Sequence, residues 1–286
     1  MQTSPSKPDA PRNTLIILGM HRSGTSLITQ WLNKCGLHVG DRLMGAGVGN
    51  LDGHYEDLDF YEWHEAVLQN NGFPSSGFIN AGSVLVSLPE QDALNKIIAR
   101  KCETGRDWGW KDPRTCLFLP AYANALPNAK HLFIVRNYRE VVTSLLRRDL
   151  SVREQRWLKG HSGTLSSWYW TYFKKNRVHQ QHIQRMAESY LKVYIHYNTQ
   201  LLHHLEVLNT AHYQVLDYRK LVKNDRVTFQ VLKSEWDFNL TYVPFASVYK
   251  GELIQKATWD LSNWLPAELE EQAIELEKRI LSFAQQ

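Results

Sequence analysis

Gly19 and Gly24 bracket a short polar turn, GMHRSG, and Thr25-Ser26 follows at once. Ahead of the turn runs a β-branched apolar stretch (Leu15, Ile16, Ile17, Leu18), and behind it apolar residues fall at helical spacing (Leu27, Ile28, Trp31, Leu32). Strand, glycine turn and helix together turn backbone N–H groups inward and aim a helix N-terminus at one point. A phosphate or sulfate oxyanion is most stable there. The spacing satisfies G-x-x-x-x-G, but Thr25 stands where an ATP- or GTP-hydrolysing loop carries its lysine. The strong cation inside the turn is Arg22. Without the lysine, phosphoryl transfer loses the charge that bridges the β- and γ-phosphates. An arginine suits a group that leaves from a single 5′-phosphate, which points away from kinases and GTPases.

Two further segments carry cations at strand ends. HLFIVRNYREVVTSLLRR, residues 131–148, reads as a buried strand over His131–Val135 ending in Arg136, a turn, and a helix from near Arg139. Ser144 lies two turns into that helix. A guanidinium forks onto phosphate oxygens while a hydroxyl donates a second bond. In WGWKDPRTCLFLP, residues 108–120, Pro113 biases Asp112 towards extended geometry and so puts Lys111 at the end of a short strand. Arg114 pairs with Asp112 or another acidic neighbour.

These residues resemble a known family. HRSGTS between strand and helix looks like the 5′-phosphosulfate loop of sulfotransferases, which use 3′-phosphoadenosine 5′-phosphosulfate (PAPS) as donor. The resemblance covers residues 14–240 in outline, with its specific motifs in the first 150 positions. It implies that Arg22, Ser23, Gly24, Thr25 and Ser26 hold the 5′ end of the donor, and that Arg136 and Ser144 hold its 3′-phosphate. Lys111, in a K-D-P stretch similar to the family's, would lie near the transferred group. QVLDYRKLV, residues 214–222, resembles the family's Y-E-D-L element, whose tyrosine packs by the adenine; only Tyr218 is carried over, because Arg219-Lys220 replaces the acidic pair. Beyond the first helix the family places a glutamate or histidine as general base, which makes Glu56 the first candidate and His54 the second. A carboxylate desolvated among Tyr55 and Phe60 would have a raised pKa, which suits a base. Glu56, Asp57 and Asp59 would also suit the N-terminal turn of a helix.

Composition bounds the rest. The 286 residues, 43% of them hydrophobic, fit one α/β domain over 14–286 behind a polar, proline-rich tail at 1–13 that reads as disordered. No segment has the apolar length of a membrane span. A net charge of +4 suits an anionic cofactor and is too weak to argue for nucleic acid. Three cysteines (Cys35, Cys102, Cys116) show no metal-ligand spacing and cannot all pair, which predicts a cytoplasmic, metal-independent protein. The twelve histidines lack companion carboxylates in sequence and read as surface or packing residues.

Along the chain, strands alternate with helices. Helices are expected over 57–69, 90–102, 165–205, 226–236 and 267–283, and a third strand near 213–217. GFPSSGFINAG, residues 72–82, reads as a flexible surface loop, and the aromatic group at 168–173 as core. The alternation predicts a P-loop-type parallel sheet with helices on both faces. Right-handed crossovers then bring the turns after Leu18 and Val135 to one sheet edge, with Arg22 and Arg136 at opposite ends of one nucleotide. The expected activity is sulfuryl transfer to a hydroxyl or amine of a small-molecule, carbohydrate or peptide acceptor. Two alternatives stay open: a nucleotide- or sulfate-binding module without catalysis, and a small-molecule kinase with an unusual loop. The sequence leaves the oligomeric state undetermined.

Overall fold

The computed structural model describes residues 13–45, 53–160, 175–249 and 259–284. The tail before Asn13, the aromatic group at 168–173 and part of the glycine-rich stretch after Gly36 lie outside them. Four strands form one parallel sheet: β1 (Thr14–Leu18), β2 (Trp108–Lys111), β3 (Lys130–Val135) and β4 (Tyr213–Asp217), in the order β2-β1-β3-β4. Each strand is buried along nearly its whole length, as a parallel sheet covered on both faces requires. The strand period of two divides the side chains between two cores. Leu15, Ile17, Leu132 and Ile134 face one, where Ile28, Trp31 and Leu32 of α1 (Thr25–Lys34) cover them. Ile16, Leu18, Phe133 and Val135 face the other. There Phe60, from α2 (Leu58–Asn70), stacks on Trp110 at 4.4 Å between ring centroids.

The other helices close the layers. A capping box between Ser87 and Glu90 starts α3 (Leu88–Cys102), and α4 (Leu119–Ala125) follows β2 after a tight turn. α5 (Tyr138–Gly160) leaves β3, and α6 (Lys175–Val207) packs along it. At 33 residues α6 is about 50 Å long from its rise alone. α8 (Ala267–Ser282) lies against α6 and β4. The helix expected over 226–236 starts earlier. Asp217 accepts from the Arg219 N–H and caps α7 (Tyr218–Gln230), so the helix begins directly at the strand end. The 72–82 segment is also no loose surface loop. Gly77 and Ile79 are buried, and the Tyr197 hydroxyl donates to the Gly77 carbonyl at 2.6 Å.

No helix among the described residues is long and apolar enough to cross a membrane. The three cysteines are unpaired, with Cys35 and Cys116 buried and Cys102 exposed.

One consequence of this core is acid lability. His131 on β3 and His204 on α6 meet edge to face at 5.1 Å, and neither His131 Nδ1 nor His204 Nε2 has a hydrogen-bond partner. Burial holds His131 at about 3 and His204 at about 4. Both values lie below the roughly 6.5 of an unfolded histidine, so stability is complete above pH 6.5 and falls as the pH drops towards 4. At pH 5.5 each histidine should remove about 1.4 kcal/mol. Urea unfolding at pH 7.5 and 5.5 measures this: His131→Leu should shrink the acid loss by about that amount, and an unchanged loss would show that His131 takes no proton on unfolding.

Candidate active site

Every sequence-predicted site residue except His54 and Glu56 sits at or just beyond a strand's C-terminal end, or on the helix that follows it. The sheet order sets the turn after β1 between Lys111 on one side and Arg136 on the other, with Tyr218 one strand further. Three strand spacings separate the outer members, about 14 Å. Ligands of open α/β sheets bind along such an edge, where the strand order reverses.

The turn is held tightly. The Ser23 N–H and hydroxyl both donate to the Met20 carbonyl, at 3.1 and 2.7 Å, so Ser23 closes the loop on itself. Gly24 takes φ +99° at the N-cap of α1. A Cβ there would come within 2.2 Å of the Tyr218 ring, so glycine is required by backbone angle and by contact alike. Past it, the first turn of α1 presents N–H groups that a helix cannot bond internally. Arg22 has φ +69°, a conformation that costs a non-glycine residue of order 1–3 kcal/mol. Two bonds hold it: Arg136 Nη1 donates to the Arg22 carbonyl at 3.0 Å, and Arg22 Nε donates to Ser144 Oγ at 2.9 Å. Sequence reasoning set Arg22 and Arg136 at opposite ends of a ligand. Arg136 reaches the Arg22 backbone and Ser144 its guanidinium, so the two expected ends are linked directly through the loop. Burial lowers Arg22 to about 10, aided by the charges of Arg148 and Arg136. Arg136 also pairs with Glu140 at 2.8 Å and lies over the Tyr218 ring at 5.1 Å.

The two candidates Glu56 and Lys111 are partners. Lys111 Nζ donates to Glu56 Oε1 at 2.7 Å, and both side chains are almost wholly buried. Burial raises the Glu56 pKa, against the lowering pull of Lys111. Half-buried His54 is pushed down by burial and then by the charges of Lys111, Arg22 and Arg148, which favours neutral imidazole. Glu56 stands outside the helical turn; Asp57 takes the N-cap of α2 and pairs with Lys101 at 2.7 Å.

Behind Lys111 lies a buried network that residue spacing did not reveal. Asp112 accepts from Arg114 Nη2 at 2.6 Å and from His64 Nδ1 at 3.0 Å, while the Tyr122 hydroxyl lies 2.8 Å from His64 Nε2. His64 therefore has a carboxylate partner, contrary to the sequence expectation. Burial lowers the His64 pKa, and a neutral ring protonated on Nδ1 satisfies both contacts. Asp112 is held well below the usual carboxylate range by His64 and Arg114, which overcome its burial. Arg114 also donates to the carbonyls of Ser75 and Tyr61, at 2.9 and 3.3 Å. Gly77 (φ +71°) packs so closely that a Cβ would meet Arg114 at 2.7 Å. Next to it, Phe78 stacks on His21 of the loop at 4.8 Å. Arg114 thus joins the strand end carrying Lys111 to the wall beside Arg22. Its D-P-R context was the only hint; a contact across 39 residues to Ser75 leaves no trace in spacing.

Among the described residues no group of three His, Cys, Asp or Glu side chains could hold a metal ion.

Arg114→Met would leave Asp112 buried without its cation, with only His64 and the residue-114 backbone N–H as partners. Removing one partner of such a pair costs about 3–5 kcal/mol, which urea unfolding at neutral pH should register. A loss below about 1 kcal/mol would mean that solvent reaches the pair.

Known proteins are similar to this chain. The Sulfotransferase family profile matches residues 14–233. A stretch of 90 residues is 30% identical to a Caenorhabditis elegans protein named "Putative protein-tyrosine sulfotransferase", covering 32% of this chain and about a third (32%) of that one. The fold is similar to that of a Mycobacterium avium sulfotransferase, with TM-score 0.51 and 12% identity over 96% of this chain and 76% of that one. A sulfotransferase from Alicyclobacillus acidocaldarius superposes with TM-score 0.48 at 13% identity, over 96% and 94% of the two chains. With its profile matched from β1 to the end of α7 and beyond, this chain belongs to the sulfotransferase family.

Proposed function

We propose that the chain moves a sulfuryl group from PAPS to a hydroxyl or amine acceptor by in-line transfer, with a protein base removing the acceptor's proton. The observation that carries this reading is the buried Glu56–Lys111 pair beside the glycine turn: a base and a cation within 2.7 Å of each other. A binding-only protein has no use for that pair. The donor contributes an activated sulfuryl group on a 5′-phosphate, with a second phosphate at the 3′ position.

The residues fit such a donor. The loop amides and the hydroxyls of Thr25 and Ser26, with Arg22, suit the 5′ end, because they converge at a helix N-terminus. Arg136 and Ser144 suit the 3′-phosphate as guanidinium and hydroxyl donors. Tyr218, pressed on Gly24 and under Arg136, forms the wall on the nucleotide side. The Arg22–Ser144 bond couples the two anion subsites, so filling one positions the other.

Glu56 takes the acceptor's proton. Its burial raises proton affinity, while Lys111 keeps the waiting carboxylate ionised. Lys111 and Arg22 then oppose the negative charge that builds at the leaving oxygen, in a site where water does not screen them. His54 is the reserve candidate for base. A peptide tyrosine is one acceptor among several; the tyrosine in the Caenorhabditis elegans relative's name belongs to that protein.

Glu56→Gln should lower kcat by about 10²–10⁴-fold, the ordinary worth of a general base, with donor affinity within about twofold. Unchanged turnover would move the base to His54. Thermal melting provides the donor test. At a hundredfold its Kd, 3′-phosphoadenosine 5′-phosphate should add about 2.7 kcal/mol, well beyond AMP or ATP with magnesium. An equal shift with AMP would remove the 3′-phosphate role from Arg136 and Ser144, and a larger shift with ATP and magnesium would favour a kinase.

A further inference from the structure

On α5, Ser144, Arg148, Val152 and Arg156 stand four residues apart and form one stripe, with Asp149, Arg153 and Trp157 beside it. The stripe begins at the Arg22 contact and runs outward for about 18 Å. Its outer part lines an open cleft of about 860 Å³, to which Val178 of α6 also contributes. Arg148 stands at the junction. It lies 5.3 Å over the Phe78 ring, and its charge acts on Arg22 and His54. Arg148 pairs with Asp149 at 3.1 Å, and the Tyr190 hydroxyl holds that carboxylate's other oxygen. Asp149 is thus already occupied. Among the described residues no carboxylate pairs with Arg153 or Arg156, and both are exposed.

The lining has two chemistries. Arg148, Arg153 and Arg156 are forks for planar oxyanions, whereas Val152, Trp157 and Val178 offer an apolar wall. Among the described lining residues a neutral sugar or hydroxyl-rich chain would find few acceptors for its hydroxyl hydrogens. Resting on the sulfotransferase reading above, we propose that this cleft is the acceptor site and selects an amphipathic anion: a hydroxyl-bearing compound whose apolar body carries a carboxylate, sulfate or phosphate. The anion sits on Arg153 and Arg156, the apolar body lies along Val152 and Trp157, and the hydroxyl reaches past Arg148 to Glu56.

The test pairs two probes of one shape, 2-naphthol and 6-hydroxynaphthalene-2-sulfonate, as acceptors for sulfuryl transfer from PAPS by the full chain. The sulfonate should have the higher kcat/KM, by about tenfold or more, as expected for a charged hydrogen bond. The double variant Arg153→Glu/Arg156→Glu alters exposed side chains only, so its melting temperature and its affinity for 3′-phosphoadenosine 5′-phosphate should match the parent's. In it the preference should fall to about one. Equal use of the two probes by the parent chain, or a preference that survives the double variant, would overturn the proposal. So would calorimetric binding of a heparin hexasaccharide tighter than the sulfonate, since that makes the cleft a polysaccharide site. If 3′-phosphoadenosine 5′-phosphate fails to bind at all, the donor reading falls instead. Calorimetry of the two naphthalene probes against both chains still decides the anion preference of the cleft.

Discussion

A lysine and a glutamate kept from water 2.7 Å apart govern how the rest of this site must be built. Each ion loses several kcal/mol of hydration on burial, and mutual attraction repays that only when the geometry is held and the remaining polar atoms are satisfied. Lys111 is fixed by β2, an edge strand registered on β1 with Lys111 level with Ile17. Glu56 is fixed by Asp57, which caps α2 and is tied to Lys101. The residue after Lys111, Asp112, is locked by Arg114 and His64. Neither ion can relax without dislodging a capped helix or a sheet strand. The pair therefore keeps its separation beside the glycine turn, as the proposed role of Glu56 as base requires.

The glycine turn follows the same logic. Its unfavourable Arg22 backbone persists because Arg136 and Ser144, from the next strand and helix, hold its carbonyl and its guanidinium. Tyr194 in turn accepts the task of fixing Arg136, donating to its carbonyl at 2.9 Å. Strain in the loop is thus supported by the β3–α5 unit and by α6 behind it. An anion entering the turn would meet donors already in place, which avoids the reorganisation that water would demand.

Local signals made much of this legible. The apolar run into Gly19, Pro113 after Asp112 and the run from His131 to Val135 fix three strand ends, and crossover handedness gathers them at one edge. Arg136, Ser144 and Lys111 stand where their strands and helices put them. What stayed hidden depends on distant side chains. His64 and Asp112 are 48 residues apart, and Arg114 reaches Ser75 across 39. Such pairings come from packing α2 and the 74–78 turn against β2, and no period or motif encodes them. The tilt of Arg22 towards Ser144 was hidden for the same reason, since a rotamer depends on its neighbours. Tyr218 is legible as a residue, while its helix begins earlier than apolar spacing predicts because Asp217 caps it at the strand end.

Helix α5 joins these two levels. Ser144 and Arg148 lie one turn apart, about 6 Å along the axis. The first touches the glycine turn and the second covers Phe78. The distance between the glycine turn and the cleft beyond is therefore set by helical rise, which a loop could not fix so closely. Phe78 is clamped from both sides, by His21 on the loop and by the Arg114-held turn that carries it. Arg148 cannot move outward without uncovering that ring or pulling Asp149 from Tyr190. On the proposed reading, an acceptor extending into the cleft would bring its reactive oxygen past Arg148 towards a Glu56 and Lys111 that are already paired.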